Sequence, residues 1–123
     1  MPLSSPTKRN LIHTRDIKCM GYEREDGLWD IEGRITDVKT YSFTNMDRGE
    51  VNAGTPVHDM TVRITVNLDL VIIDCEASME FTPFEICPAI RKNIKNLIGL
   101  QIKSGWTRAV NSVLGGIKGC THI

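Results

Sequence analysis

The sequence carries no net charge: fifteen lysines and arginines are matched by fifteen aspartates and glutamates. That balance removes the electrostatic reason to expect nucleic acid or an acidic membrane surface as a partner. There is no long hydrophobic run either. Stretches such as Leu70-Val71-Ile72-Ile73 are far too short to span a bilayer, so no membrane partner is expected. The opening residues, MPLSSPTKRN, have no apolar segment after a charged start. They predict no secretory signal and are expected to form a short disordered arm over residues 1–10. Catalytic signatures are missing as well. The chain has no CxxC, no HExxH, no GxSxG, no triad order and no glycine-rich phosphate loop after a strand, and these absences weigh against an enzyme.

What is present is a chain of 123 residues, long enough for one domain with its own core, expected over residues 11–123. Its four cysteines, Cys19, Cys75, Cys87 and Cys120, come without a secretory signal. They are expected to be reduced thiols in a cytoplasmic protein. Cys19 and Cys75 fall within apparent strands, where a cysteine usually acts as a small buried hydrophobe.

Alternation of apolar and polar residues marks the strands. Ile12, Ile17, Cys19 and Tyr22 alternate loosely up to Glu25-Asp26-Gly27, a hairpin signal. Beyond it, Trp29, Ile31, Gly33 and Ile35 share one face, and Asp30, Glu32, Arg34 and Thr36 share the other. The polar stretch 44–55 is expected to be a loop. Met60, Val62, Ile64, Val66 and Leu68 share a parity, Asn67-Leu68-Asp69 turns the chain, and Val71, Ile73, Cys75, Ala77 and Met79 continue a further strand. From Phe81 the spacing changes. Ile86, Ile90, Ile94, Leu97 and Ile98 repeat at three and four, predicting a helix that starts near Cys87-Pro88 and closes at Gly99. Ser104 is a candidate N-cap for a second helix carrying Trp106, Val110, Val113 and Leu114. Lys118 to Thr121 reads as the start of a third. Strands first and helices after predict an α+β domain: an antiparallel sheet of three to four strands with helices packed on one face.

Four groups of residues could carry chemistry. His58 has the parity of Met60 and Val62, so it should face the helical layer, where a lone histidine is most often a satisfied core residue. Cys87 precedes a helix, where unpaired N–H groups and the helix dipole favour thiolate. Cys120 and His122 form a Cys-x-His pair close to another expected helix start, a weak metal signal by itself. The polar stretch that contains Tyr22, Arg24, Asp26, Trp29, Asp30, Glu32, Asp37 and Lys39 could hold paired carboxylates. It reads more simply as a solvated hairpin face with cross-strand charge pairs.

Two resemblances sharpen this reading. The stretches HTRDIKCMGYEREDGLWDIEGRITDVK, AGTPVHDMTVRITVNLDLVIIDCEASME and GCTH resemble an uncharacterised bacterial domain-of-unknown-function family. Its members extend past the Cys-Thr-His motif, which implies that the domain here lacks part of its last helix. The layout of AGTPVHDMTVRITVNLDLVIIDCEASM is also similar to iron–sulfur cluster scaffold proteins of the NifU N-terminal type. In that family a cysteine and an aspartate enter a hairpin, a second cysteine starts a helix and a late His-Cys pair starts another. The resemblance places His58 and Asp59 at the first position, Cys87 at the second and Cys120 at the third, with His122 after the cysteine instead of before it. It implies a metal site of His58, Cys87, Cys120 and His122 holding zinc or an iron–sulfur cluster. Two other functions stay open. One is a thiol or sulfur carrier using Cys87 or Cys120. The other is a non-catalytic interaction module, with a protein partner or a second copy docking at the Trp29 hairpin or the Trp106 helix.

Overall fold

The computed structural model describes residues 2–46, 48–81 and 91–115. Its centre is a four-stranded antiparallel sheet. In chain order the strands are β1 (His13–Glu23), β2 (Trp29–Lys39), β3 (Phe43–Asn45), β4 (Gly49–Val51), β5 (Pro56–Val66) and β6 (Ile72–Phe81). The large sheet runs β1-β2-β5-β6, and β3 and β4 form a small hairpin of their own. A 3-10 helix (Arg91–Leu97) and one α-helix, α1 (Trp106–Leu114), follow.

The turns show why the strands begin and end where they do. Between β1 and β2, Gly27 adopts a left-handed φ of 86°, and the Asp26 carboxylate accepts the Leu28 amide at 3.2 Å. Glycine takes that conformation without the steric penalty a Cβ would bring. Between β5 and β6, the Asn67 side-chain oxygen accepts both the Asp69 and Val71 amides at 3.0 Å. This is an Asx-type turn in which one side chain satisfies two loop amides.

In an antiparallel pair, residues directly opposite one another point to the same face. Trp29, Ile31, Gly33, Ile35 and Asp37 on β2 lie among the residues opposite Val66, Ile64, Val62, Met60 and His58 on β5. That face is the apolar one. At the β5–β6 end it is closed by Val66, Ile72, Cys75, Ile94 and Leu97, with Trp106, Val110, Val113 and Leu114 packed around them. A second, smaller cluster joins Met60, Met79 and Ile35. The opposite face is a ladder of ion pairs: Arg34 with Asp59, Arg63 with Glu32 and Glu76, and Arg24 with Asp26 and Asp30.

The expected α+β class is corrected. The protein is mostly β: among the described residues about half lie in strands and there is only one short α-helix, so these residues form no layer of helices on the sheet. The reason lies in the spacing. Ile94 and Leu97 are three residues apart, which places them on one side of a 3-10 turn as readily as of an α-helix. The chain takes the tighter form over Arg91–Leu97, and Gly99 at φ 94° ends it. The start of that predicted helix, around Cys87-Pro88, lies outside the described residues, as does the predicted third helix. Ser104 is not the N-cap of α1. Gly105 holds that position in the left-handed conformation with no side-chain cap. The expected loop over 44–55 contains most of the β3–β4 hairpin. Cys75 is buried as expected, whereas Cys19 is exposed. No helix among the described residues is long and apolar enough to cross a membrane.

Candidate functional site

The apolar parity of β2 ends in a carboxylate. Continuing from Trp29 through Ile35 by twos reaches Asp37, which is only 1% exposed. An ionised carboxylate in such a place needs partners for both oxygens. The two flanking strands supply them. Arg15 on β1 and His58 on β5 each lie directly opposite Asp37, and His13 lies two residues before Arg15 on the same face of β1.

The contacts converge on one side chain. Arg15 forms a two-pronged bond, donating from Nε to Oδ1 at 2.7 Å and from Nη2 to Oδ2 at 2.8 Å. His58 Nδ1 lies 2.7 Å from Oδ2, and His13 Nε2 lies 3.0 Å from Oδ1. The Arg15 guanidinium, helped by His13 and His58, holds the Asp37 carboxyl well below the usual carboxylate range and outweighs the opposing cost of burial. An ionised carboxylate only accepts hydrogen bonds, so the histidine nitrogens that face it carry the hydrogens. In the neutral imidazole of His58 this leaves the lone pair on Nε2.

Neighbouring elements fix this geometry. The β2–β5 register shifts between Asp37 and Val38, so Pro56, which has no N–H to donate, begins β5 beside an irregularity instead of within the regular ladder. The Arg48 guanidinium then donates to the carbonyls of Pro56 at 3.1 Å and Val57 at 3.2 Å, tying down the residues that lead into His58. Arg48 also stacks over the Phe81 ring at 5.7 Å. The site is layered: Asp37 and His58 are buried, while the side chains of His13 and Arg15 are 40% and 45% exposed.

His58 is thus the candidate ligand whose setting is visible. Cys87, Cys120 and His122 lie outside the described residues. Asp59 is not part of the site, since it turns to the other face and binds Arg34 at 2.9 and 2.8 Å. Most of the polar stretch around the first hairpin is the solvated charge ladder expected of it, and Asp37 is the exception. Asp37 in this role, Arg15 and His13 were not singled out by sequence reasoning. The signal was an acidic residue at an apolar-parity position of β2. Among the described residues no group of three or more His, Cys, Asp and Glu side chains is arranged to hold a metal ion. In the Asp37 cluster both imidazoles turn an N–H toward the carboxylate.

Residues 13–123 match the family described as protein of unknown function (DUF2889), and the chain belongs to that family. No curated protein and no solved structure matches it.

Proposed function

We propose that this member of a family without assigned activity is a metal-binding domain in which His58 is a ligand held in place by Asp37. The observation that carries this reading is the 2.7 Å bond between His58 Nδ1 and the buried Asp37 carboxylate. Metal-bound histidines commonly give their second nitrogen to a carboxylate, which fixes the tautomer and raises the basicity of the ligating nitrogen. Cys87, Cys120 and His122 are the candidates to complete the set. Thiolate with imidazole is a donor combination suited to zinc or to an iron–sulfur centre. The bound ion would serve as a cross-link between β5 and the chain on either side of the helical segments. What supports this reading is the Asp37–His58 pair, not a scaffold-type fold.

The test is metal and acid-labile sulfide content of the anaerobically purified chain, beside the His58→Gln, Cys87→Ala and Asp37→Asn variants. Near-stoichiometric zinc or iron is expected, lost in the first two variants. Asp37→Asn should weaken metal affinity by about 10–100-fold, the usual effect of removing a carboxylate behind a histidine ligand. Circular dichroism shows whether each variant keeps its fold. A metal-free wild type overturns the proposal. So does a folded His58→Gln variant that holds metal as tightly as the wild type.

A further inference from the structure

Strand β1 is one edge of the large sheet and is exposed along all eleven of its residues. An exposed edge presents a row of backbone N–H and C=O groups ready to accept another strand, and proteins usually blunt such edges. The other edge, β6, is blunted. Its register with β5 breaks at Asp59/Met60 and again at Thr65/Val66. Lys95, from the 3-10 helix that follows, reaches its Asp74 at 3.0 Å. Just before its first residue, Val71 bridges to Gln101. On β1 the register with β2 runs unbroken from His13↔Lys39 to Glu23↔Trp29, and the strand contains no proline.

The centre of β1 has a particular charge pattern. Ile17 points to the apolar face and is 66% exposed. Asp16 and Lys18 flank it on the other face. Among the described residues neither is in an ion pair. Lys18 sits directly opposite Arg34, a like charge, and Asp16 opposite Thr36. An acid and a base on either side of a central residue are self-complementary under a two-fold rotation.

We propose that β1 pairs antiparallel with β1 of a second copy about a two-fold axis at Ile17, joining two sheets edge to edge. In that register Ile17 meets the partner's Ile17, Asp16 meets the partner's Lys18, and Lys18 meets the partner's Asp16. Moving the axis by one residue sets Lys18 against the partner's Lys18, or Asp16 against the partner's Asp16. Like charges directly opposite are unfavourable, so the charges disfavour these one-residue shifts.

The test is sedimentation equilibrium of the 123-residue chain across the micromolar range, with Asp16→Lys, Lys18→Asp and the double exchange. The wild type should be a dimer. Each single reversal creates two like-charge contacts and should raise the dimer Kd by at least about tenfold. The double exchange restores opposite charges in the same register and should return Kd to near the wild-type value. Circular dichroism of the single variants checks that these exposed changes leave the monomer folded. A wild type that stays monomeric overturns the proposal. So does a dimer indifferent to the single reversals, or one that the double exchange fails to rescue.

Discussion

Strands β5 and β6 and strands β1 and β2 are built on the same alternation, yet among the described residues a compact core covers only the first pair. Over β5 and β6, Ile94 and Leu97 close on Val66, Ile72 and Cys75, and Trp106 and Val110 pack around them. Over β1 and β2 the same face leaves Ile17, Trp29 and Ile31 exposed, and its one deeply buried side chain is Asp37. One half is held by apolar burial, which is non-directional and proportional to area. The other is held mainly by its backbone ladder and by a carboxylate that ties three strands together, with Ile35 packed on the Met60–Met79 cluster. Equal alternation in sequence therefore does not mean equal burial, because what covers a face is decided elsewhere in the chain.

The largest expected effect tests that contrast directly. Ile72 is 1% exposed in the core, and Ile72→Ala should cost about 2–5 kcal/mol through lost burial and a residual cavity. Ile17→Ala on the exposed face should change the stability of the dissociated monomer by less than about 0.5 kcal/mol. Urea denaturation at low protein concentration measures both. Equal costs would erase the distinction between the two halves.

Asp37 comes next. Asp37→Asn keeps the shape but replaces one acceptor oxygen with a donor facing cations and N–H groups. It should cost about 1–3 kcal/mol, the range for leaving buried polar groups unsatisfied. The pH dependence gives a second readout. The folded state holds this carboxyl below its ordinary range, so its contribution is complete above about pH 4 and is lost as pH falls toward the folded value. The wild type should therefore lose stability on acidification more steeply than Asp37→Asn. Parallel acid limbs in the two proteins would remove Asp37 from the account of the β1–β2 half.

How much of this was legible beforehand differs between the two halves. The long strands followed from parity, and the hairpin turn from Glu25-Asp26-Gly27. His58 was placed on the apolar face by its step of two from Met60, and the structure keeps it there. The dense polar residues around Asp37 mask its parity. Counted by twos from Trp29 it belongs to the apolar face, directly across from His58. The helical layer misled for a different reason. Ile94 and Leu97 fit a 3-10 spacing and an α-helical spacing equally, and the seven residues Arg91–Leu97 are too few for the longer period to declare itself. The two-residue alternation of a strand repeats several times within eleven residues, whereas a helical face needs several turns to become unambiguous. For the proposed ligands Cys87, Cys120 and His122, spacing never contained the answer, since a dispersed site is assembled by the fold.

A smaller effect, silent at neutral pH, belongs to the covered half. Burial pushes the Cys75 thiol up from 9.0 to about 11, against the pull of nearby Lys95. The folded state thus retains a proton that the unfolded state loses. Between about pH 9 and pH 11 the unfolded chain binds fewer protons at this site, so stability should fall with rising pH over that window. Cys75→Ala should flatten the decline while lowering stability at pH 7 through lost packing. An alkaline limb unchanged by the substitution would assign the decline to other groups.

The smallest effect is expected on the polar face, where the contrast predicts almost nothing. Arg34 forms a two-pronged bond with Asp59 at 2.9 and 2.8 Å, nearly as close as Arg15 with Asp37 at 2.7 and 2.8 Å. The geometry is alike, but the surroundings are not. Asp59 lies on the solvated face with its guanidinium partner well exposed, so water screens the pair, and salt screens it further. Arg34→Ala should shift the urea midpoint by no more than the scatter between repeat measurements at 0.5 M salt, and only slightly at low salt. Asp37→Asn should lower the midpoint at both. If Arg34→Ala matched the Asp37 variant, bond geometry alone would set the strength of these pairs. If it does not, burial on the apolar face is what makes Asp37 structurally consequential.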